Sequence, residues 1–114
     1  MAGRLGHIRN WEALAKRAKF QPETMAVMCA VSLRHLERFF ARKFNTTPAK
    51  WARAIRCQLA RQLIAQGWSN KAVAAELNYW DGSHLCREFR SFYGMPPQTF
   101  SSRLQDMPSD GPLR

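Results

Sequence analysis

The sequence predicts an all-α fold of about seven helices, arranged as two helix-turn-helix subdomains joined by a long linker helix. Three observations predict it. No stretch alternates apolar and polar residues as a half-buried strand would. Helix start signals recur along the chain, each a Ser, Thr or Asp cap or a Pro at the first turn. The second half also repeats the first. His35-Leu36-x-Arg38-x-Phe40-x-x-x-Phe44-Asn45-x-x-Pro48-x-x-Trp51 returns as His84-Leu85-x-Arg87-x-Phe89-x-x-x-Tyr93-Gly94-x-x-Pro97-x-x-Phe100. The spacing is 49 throughout (85 − 36), with His, Leu, Arg, Phe and Pro identical.

Residues 1–8 carry Gly3 and Gly6 and no apolar period, and read as a flexible start. The first subdomain follows over residues 9–47. From Arg9 to Lys19, Trp11, Leu14, Ala15 and Ala18 recur at helical spacing. Gln21-Pro22-Glu23 restarts a helix that runs to about Cys29, with Pro and an acid suited to its positive end. Ser32 caps a third helix reaching about Phe44.

Thr47-Pro48 opens the linker helix, residues 48–66, since no breaker intervenes before Gly67. At 1.5 Å per residue it is about 28 Å long. Its apolar residues form two sets, Trp51, Ile55 and Leu59 against Cys57, Ala60 and Ile64, so two packing sides are expected. The second subdomain spans 67–103. Ser69 caps a helix from Asn70 to Leu77, Asp81 caps another to about Tyr93, and Gly94 suits a left-handed stop. Pro97 starts a last short helix to about Arg103, and turn-rich residues from 104 to 114 predict a disordered tail.

The balance of 18 Lys and Arg against 8 Asp and Glu gives a net charge of +10, the footprint of a polyanion binder. A membrane is not the expected partner, because the longest apolar run, Met25 to Val31, is far too short to span one. No signal-peptide core follows Met1-Ala2-Gly3-Arg4-Leu5, so a cytoplasmic location is expected. Cys29, Cys57 and Cys86 lack C-x-x-C spacing, which argues against zinc and against a disulfide framework. His35 and His84 are lone imidazoles, expected on helix surfaces near a nucleic-acid backbone rather than on a metal. No cofactor is expected. Trp11, Trp51, Trp68 and Trp80 read as core or lid aromatics.

A helix-turn-helix needs a small residue where its helices cross, a tight turn, and apolar residues that lock the second helix. In the first copy Ala26 crosses, Ala30-Val31 turn, and Leu36 and Phe40 lock. In the second Ala74 crosses, Asn78-Tyr79 turn, and Leu85 and Phe89 lock. The spacing is 48 before the turn (74 − 26) and 49 after it, so the second turn holds one extra residue. With the lock residues buried, Arg34, Glu37 and Arg38 on the first head, and Ser83, Cys86 and Arg87 on the second, are the candidate base-reading residues. Arg grips guanine O6 and N7 with two bonds, and Glu accepts from cytosine N4. The candidate phosphate contacts are Ser32, Arg42, Thr47, Lys50, Arg53, Ser69, Lys71 and Arg90, through side chains or helix-start amides.

These residues resemble the DNA-binding domain of the AraC/XylS family of bacterial transcription regulators. Ser32-x-Arg34-x-Leu36-x-Arg38-x-Phe40 is similar to its first-repeat pattern, and Arg56 with Ala60, Leu63 and Ile64 to its linker helix. Asn78-Tyr79-x-Asp81-x-Ser83-x-Leu85-x-Arg87-x-Phe89, then Gly94-x-x-Pro97, resembles its second-head motif, with Asn78 for the usual Gly and Leu85 for Phe. The resemblance covers about Phe20 to Phe100. It implies two recognition helices entering successive major-groove turns on one DNA face. It also implies that Arg34, Glu37, Arg38, Gly82, Ser83, Cys86 and Arg87 lie in or beside the grooves. The function expected is a sequence-specific, double-stranded DNA-binding transcriptional regulator, not an enzyme, bound as a monomer and with RNA polymerase as a further partner. The alternatives are a DNA repair module using Cys86 or Cys57 as alkyl acceptor, or a small basic RNA-binding protein.

Overall fold

A computed structural model describes residues 5, 6 and 8–105. Among them stand seven helices and no strand: α1 (Trp11–Arg17), α2 (Pro22–Met28), α3 (Leu33–Phe44), α4 (Pro48–Ala65), α5 (Asn70–Glu76), α6 (Gly82–Tyr93) and α7 (Pro97–Gln105). The chain divides into two compact units, Met1–Arg56 and Cys57–Arg114. The division falls inside α4, so this helix is shared between the units.

Local chemistry explains most of the boundaries. Side-chain oxygens of Asn10, Ser32, Thr47, Ser69 and Asp81 accept the amides of Ala13, His35, Lys50, Ala72 and His84 at 2.9–3.1 Å. Each bond satisfies a donor that the first helical turn leaves unpaired. Pro22 opens α2 without a side-chain cap, its missing N–H being one the helix would not use. Asn45 (φ 56°) and Gly94 (φ 75°) end α3 and α6 in the left-handed conformation.

Three expectations change. The first helix ends at Arg17 rather than Lys19, because Lys19 and Phe20 both turn left-handed and Phe20 N–H reaches back to Ala15 O at 2.8 Å. The last helix runs two residues past Arg103, and the expected tail beyond Gln105 lies outside the described residues. Within the expected flexible start, Leu5 is 0% exposed and its carbonyl accepts the Ile8 amide, so this part is anchored by burial. Residues 1–4 and 7 lie outside the described residues.

The first unit is built on an aromatic cluster. Trp11 of α1 meets Phe39 at 5.6 Å and Phe40 at 4.9 Å between ring centroids, and Trp51 stacks on Phe44 at 5.8 Å. Met25, Ala26 and Leu36 bury the α2–α3 contact. In the second unit Val73 and Ala74 of α5, and Leu77 at its C-cap, are buried with Leu85 and Phe89 of α6, and Phe89 meets Phe100 of α7 at 5.8 Å. The linker helix departs from its expected pattern. Ala52, Arg56, Ala60 and Ile64, at i+4 steps, are buried with Cys57, while Trp51, Ile55 and Leu59 are half-buried. The deep side of α4 is therefore made mainly of small residues, which permit close approach of neighbouring backbone. Arg56 lies among them, its guanidinium 5.8 Å from the centre of the Phe20 ring.

Candidate nucleic-acid interface

Each unit contains a helix pair closed by a turn with one left-handed residue, Ala30 (φ 59°) between α2 and α3 and Asn78 (φ 63°) between α5 and α6. The expected crossing residues, Ala26 and Ala74, are buried, as are the lock residues Leu36, Phe40, Leu85 and Phe89. With these faces committed to the core, the opposite faces of α3 and α6 stand open.

On the first head, Arg34, Arg38 and Arg42 line a concavity of about 310 Å³ together with Ser32 and His35. All five are exposed. Three guanidinium groups at i, i+4 and i+8 make this face strongly positive. Glu37 is exposed on the same helix but does not line that concavity. Arg42, expected at phosphate, stands in one group with the two arginines expected at bases.

The second head presents a larger concavity, about 730 Å³, whose lining includes Ser83, Cys86, Arg87 and Arg90. The three expected base-reading residues of α6 are thus brought together, with Arg90 beside them. Sequence reasoning missed two polar members of this lining, Asn70 and Gln98. The Asn70 amide donates to Cys86 Sγ at 3.7 Å. Asp81 lines the same concavity, and its carboxylate accepts the His84 amide at 2.9 Å as the expected cap. Gly82 contributes open space, with nothing within 4 Å of where a Cβ would stand. Thr47, Lys50, Arg53, Ser69 and Lys71 are exposed but line neither concavity. The Ser32, Thr47 and Ser69 hydroxyls are engaged as helix caps.

His84, expected on a helix surface, is half-buried and already engaged. Its Nδ1 accepts the Trp80 amide at 3.0 Å, its ring sets edge-on to Tyr79 at 5.2 Å, and Nε2 lies 3.9 Å from Glu88 Oε1. Glu88 is itself buried, accepting from Tyr79 OH at 3.0 Å and from Cys57 Sγ at 3.4 Å. Sequence reasoning missed this buried carboxylate, whose partners Tyr79 and Cys57 lie outside α6. The tryptophans also divide. Trp11 is core and Trp51 half-buried, but Trp68 is 39% and Trp80 90% exposed, neither core nor lid.

Of the two candidate alkyl acceptors, Cys57 is fully buried, whereas Cys86 is half-buried and lines the second concavity beside Arg87. Among the described residues no cluster of His, Cys, Asp or Glu could hold a metal ion, and no helix is long and apolar enough to cross a membrane.

Two helix-turn-helix units, each presenting an open basic second helix, define a tandem helix-turn-helix domain of the DNA-binding class. A family model described as a helix-turn-helix domain matches residues 25–103. The chain is 31% identical over 77 residues to the HTH-type transcriptional regulator GbdR of Pseudomonas aeruginosa, 67% of this chain and 21% of that protein. It is 33% identical over 89 residues to the regulator RipA of Corynebacterium glutamicum, 78% of this chain and 27% of that one. A DNA-binding transcriptional dual regulator of Escherichia coli K-12 superposes with TM-score 0.72 at 25% identity, covering 84% of this chain and 89% of that one. A transcriptional regulator of Chromobacterium violaceum, described as AraC-type, shares the fold at TM-score 0.74 and 23% identity, covering 91% and 96%. The chain belongs to the AraC-type family of helix-turn-helix transcriptional regulators. It spans only about a fifth to a quarter of the length of the curated relatives it matches.

Proposed function

We propose that the domain reads promoter DNA in sequence-specific fashion, with α3 and α6 each inserted into a major groove at successive turns of one duplex. The observation that carries this reading is the pair of open concavities, each on the second helix of a helix-turn-helix and each containing arginine. In this motif the second helix is the one that lies in the groove. Arg34, Glu37 and Arg38 read bases on the first head, and Ser83, Cys86 and Arg87 on the second. Ser32, Arg42, Thr47, Lys50, Arg53, Ser69, Lys71 and Arg90 hold the phosphates. The domain acts by binding rather than by catalysis, in the cytoplasm, with RNA polymerase as its further partner on the promoter.

The reading is tested by selecting sites from a random duplex library with the wild-type chain and with Arg38→Ala. The wild type should return a bipartite motif with one half-site more strongly defined. The variant should lose base preference within that half-site, at a cost of roughly 1–3 kcal/mol on the selected duplex. Uniform weakening across all sequences would reassign Arg38 to phosphate. Equal binding of single-stranded RNA would overturn the reading.

A further inference from the structure

The extra residue of the second turn is Trp80. Val31 N–H reaches Ala26 O at 3.1 Å and Tyr79 N–H reaches Ala74 O at 2.9 Å, so Val31 and Tyr79 are equivalent at a spacing of 48 (79 − 31). The caps Ser32 and Asp81 are 49 apart (81 − 32). Only Trp80 lies between Tyr79 and the cap, and the first head has no counterpart. At 90% it is the most exposed large hydrophobic side chain among the described residues. Its mount is fixed on both sides. Asn78 holds the left-handed turn, the Trp80 amide is tied to His84 Nδ1 at 3.0 Å, and Asp81 caps the helix that follows.

We propose that Trp80 is a DNA-contacting residue of the second head. Its indole packs on the sugar–phosphate edge of the groove that α6 enters, and its Nε1–H donates to a backbone phosphate. The inference rests on the DNA-reading function proposed above. Position is the first argument: the N-terminal end of a recognition helix is the part that meets base edges, and Trp80 stands two residues before Gly82, where α6 begins. Asp81 and Gly82, which follow it, already line the concavity that holds Arg87 and Arg90.

The second argument is reach. Where the first head carries Arg34, the second carries Ser83 at the equivalent place (83 − 34 = 49), and Gly82 adds no side chain. A large aromatic at the helix entrance supplies the contact area those small residues lack. Charge is the third. Arg87, Arg90 and Lys71 are exposed in the same unit, so a polyanion is drawn to this surface. The indole N–H is a donor only and matches phosphate oxygen, an acceptor. The rigid mount means that binding orders little beyond the side chain itself.

The test uses the full chain and a duplex that the wild type selects from a random library. Trp80→Ala and Trp80→Phe should both keep the wild-type circular dichroism and urea midpoint, because the ring is exposed. Trp80→Ala should weaken the selected duplex roughly five- to tenfold, and Trp80→Phe roughly two- to threefold. The emission difference between wild type and Trp80→Phe isolates this indole. Acrylamide should quench it in the free protein and reach it poorly on the duplex. Wild-type affinity in Trp80→Ala, with the indole still quenched on DNA, would overturn the inference alone and leave the ring to a protein partner. Failure of the wild type to select any duplex would overturn this inference together with the function on which it rests.

Discussion

Ala30 and Asn78 hold the same place in the two turns, at φ 59° and 63°, yet they are not equally suited to it. A left-handed conformation costs an ordinary L-residue roughly 1–2 kcal/mol, while Asn adopts it more readily. Glycine removes that cost and gives back roughly 0.5–1 kcal/mol through the freedom it gains when unfolded. Ala30 is exposed, so losing its methyl costs little packing. Ala30→Gly should therefore stabilise the chain by about 0.5–1 kcal/mol, and Asn78→Gly should change it by less. Urea unfolding of the two variants checks this, and a lower midpoint for Ala30→Gly would show that the first turn stores no such strain. The sequence located both turns but not this difference. An Ala in that place gives no local sign that it must turn left-handed, whereas Asn78 does.

Among the helices, α3 and α6 show what was legible and what was not. Their lock residues and caps followed from spacing and side-chain chemistry, because Leu-x-x-x-Phe buries one face and Ser32 or Asp81 satisfies an amide. Contributions from outside these helices were not legible. Asn70 and Gln98 reach the second concavity from α5 and α7, which only the tertiary fold brings beside α6. Glu88 was hidden for a related reason: its partners, Tyr79 and Cys57, lie 9 and 31 residues away in sequence. Asp81 carries two opposed effects at one helix end, capping α6 while placing a negative charge in the proposed interface. Separating them is a direct test. Asp81→Asn keeps a cap of equal quality, so stability should hold within about 0.5 kcal/mol while duplex affinity rises at low salt. Asp81→Ala should instead lose about 1 kcal/mol of stability. Unchanged affinity in Asp81→Asn would place this carboxylate away from phosphates.

For the whole chain, the net charge of +10 concerns association rather than folding. Charge of this size acts through counterion release, so the logarithm of affinity should fall linearly with the logarithm of salt concentration, by about 0.9 per phosphate neutralised. The proposed phosphate set contains five cations, Arg42, Lys50, Arg53, Lys71 and Arg90, from both units. If all five engage one duplex, the slope should be about −4 to −5, and Lys50→Ala should make it shallower by about 1. A chain that engaged only its first unit would retain Arg42, Lys50 and Arg53, and its slope would be about −3. Two heads on one chain also remove the need for a second copy to read two half-sites. Sedimentation of the complex should then give one chain per duplex. A slope near −5 with one chain bound means that a monomer uses both heads. A slope near −3 with two chains bound would mean that each copy uses one head, and the bipartite reading would fail although DNA is bound.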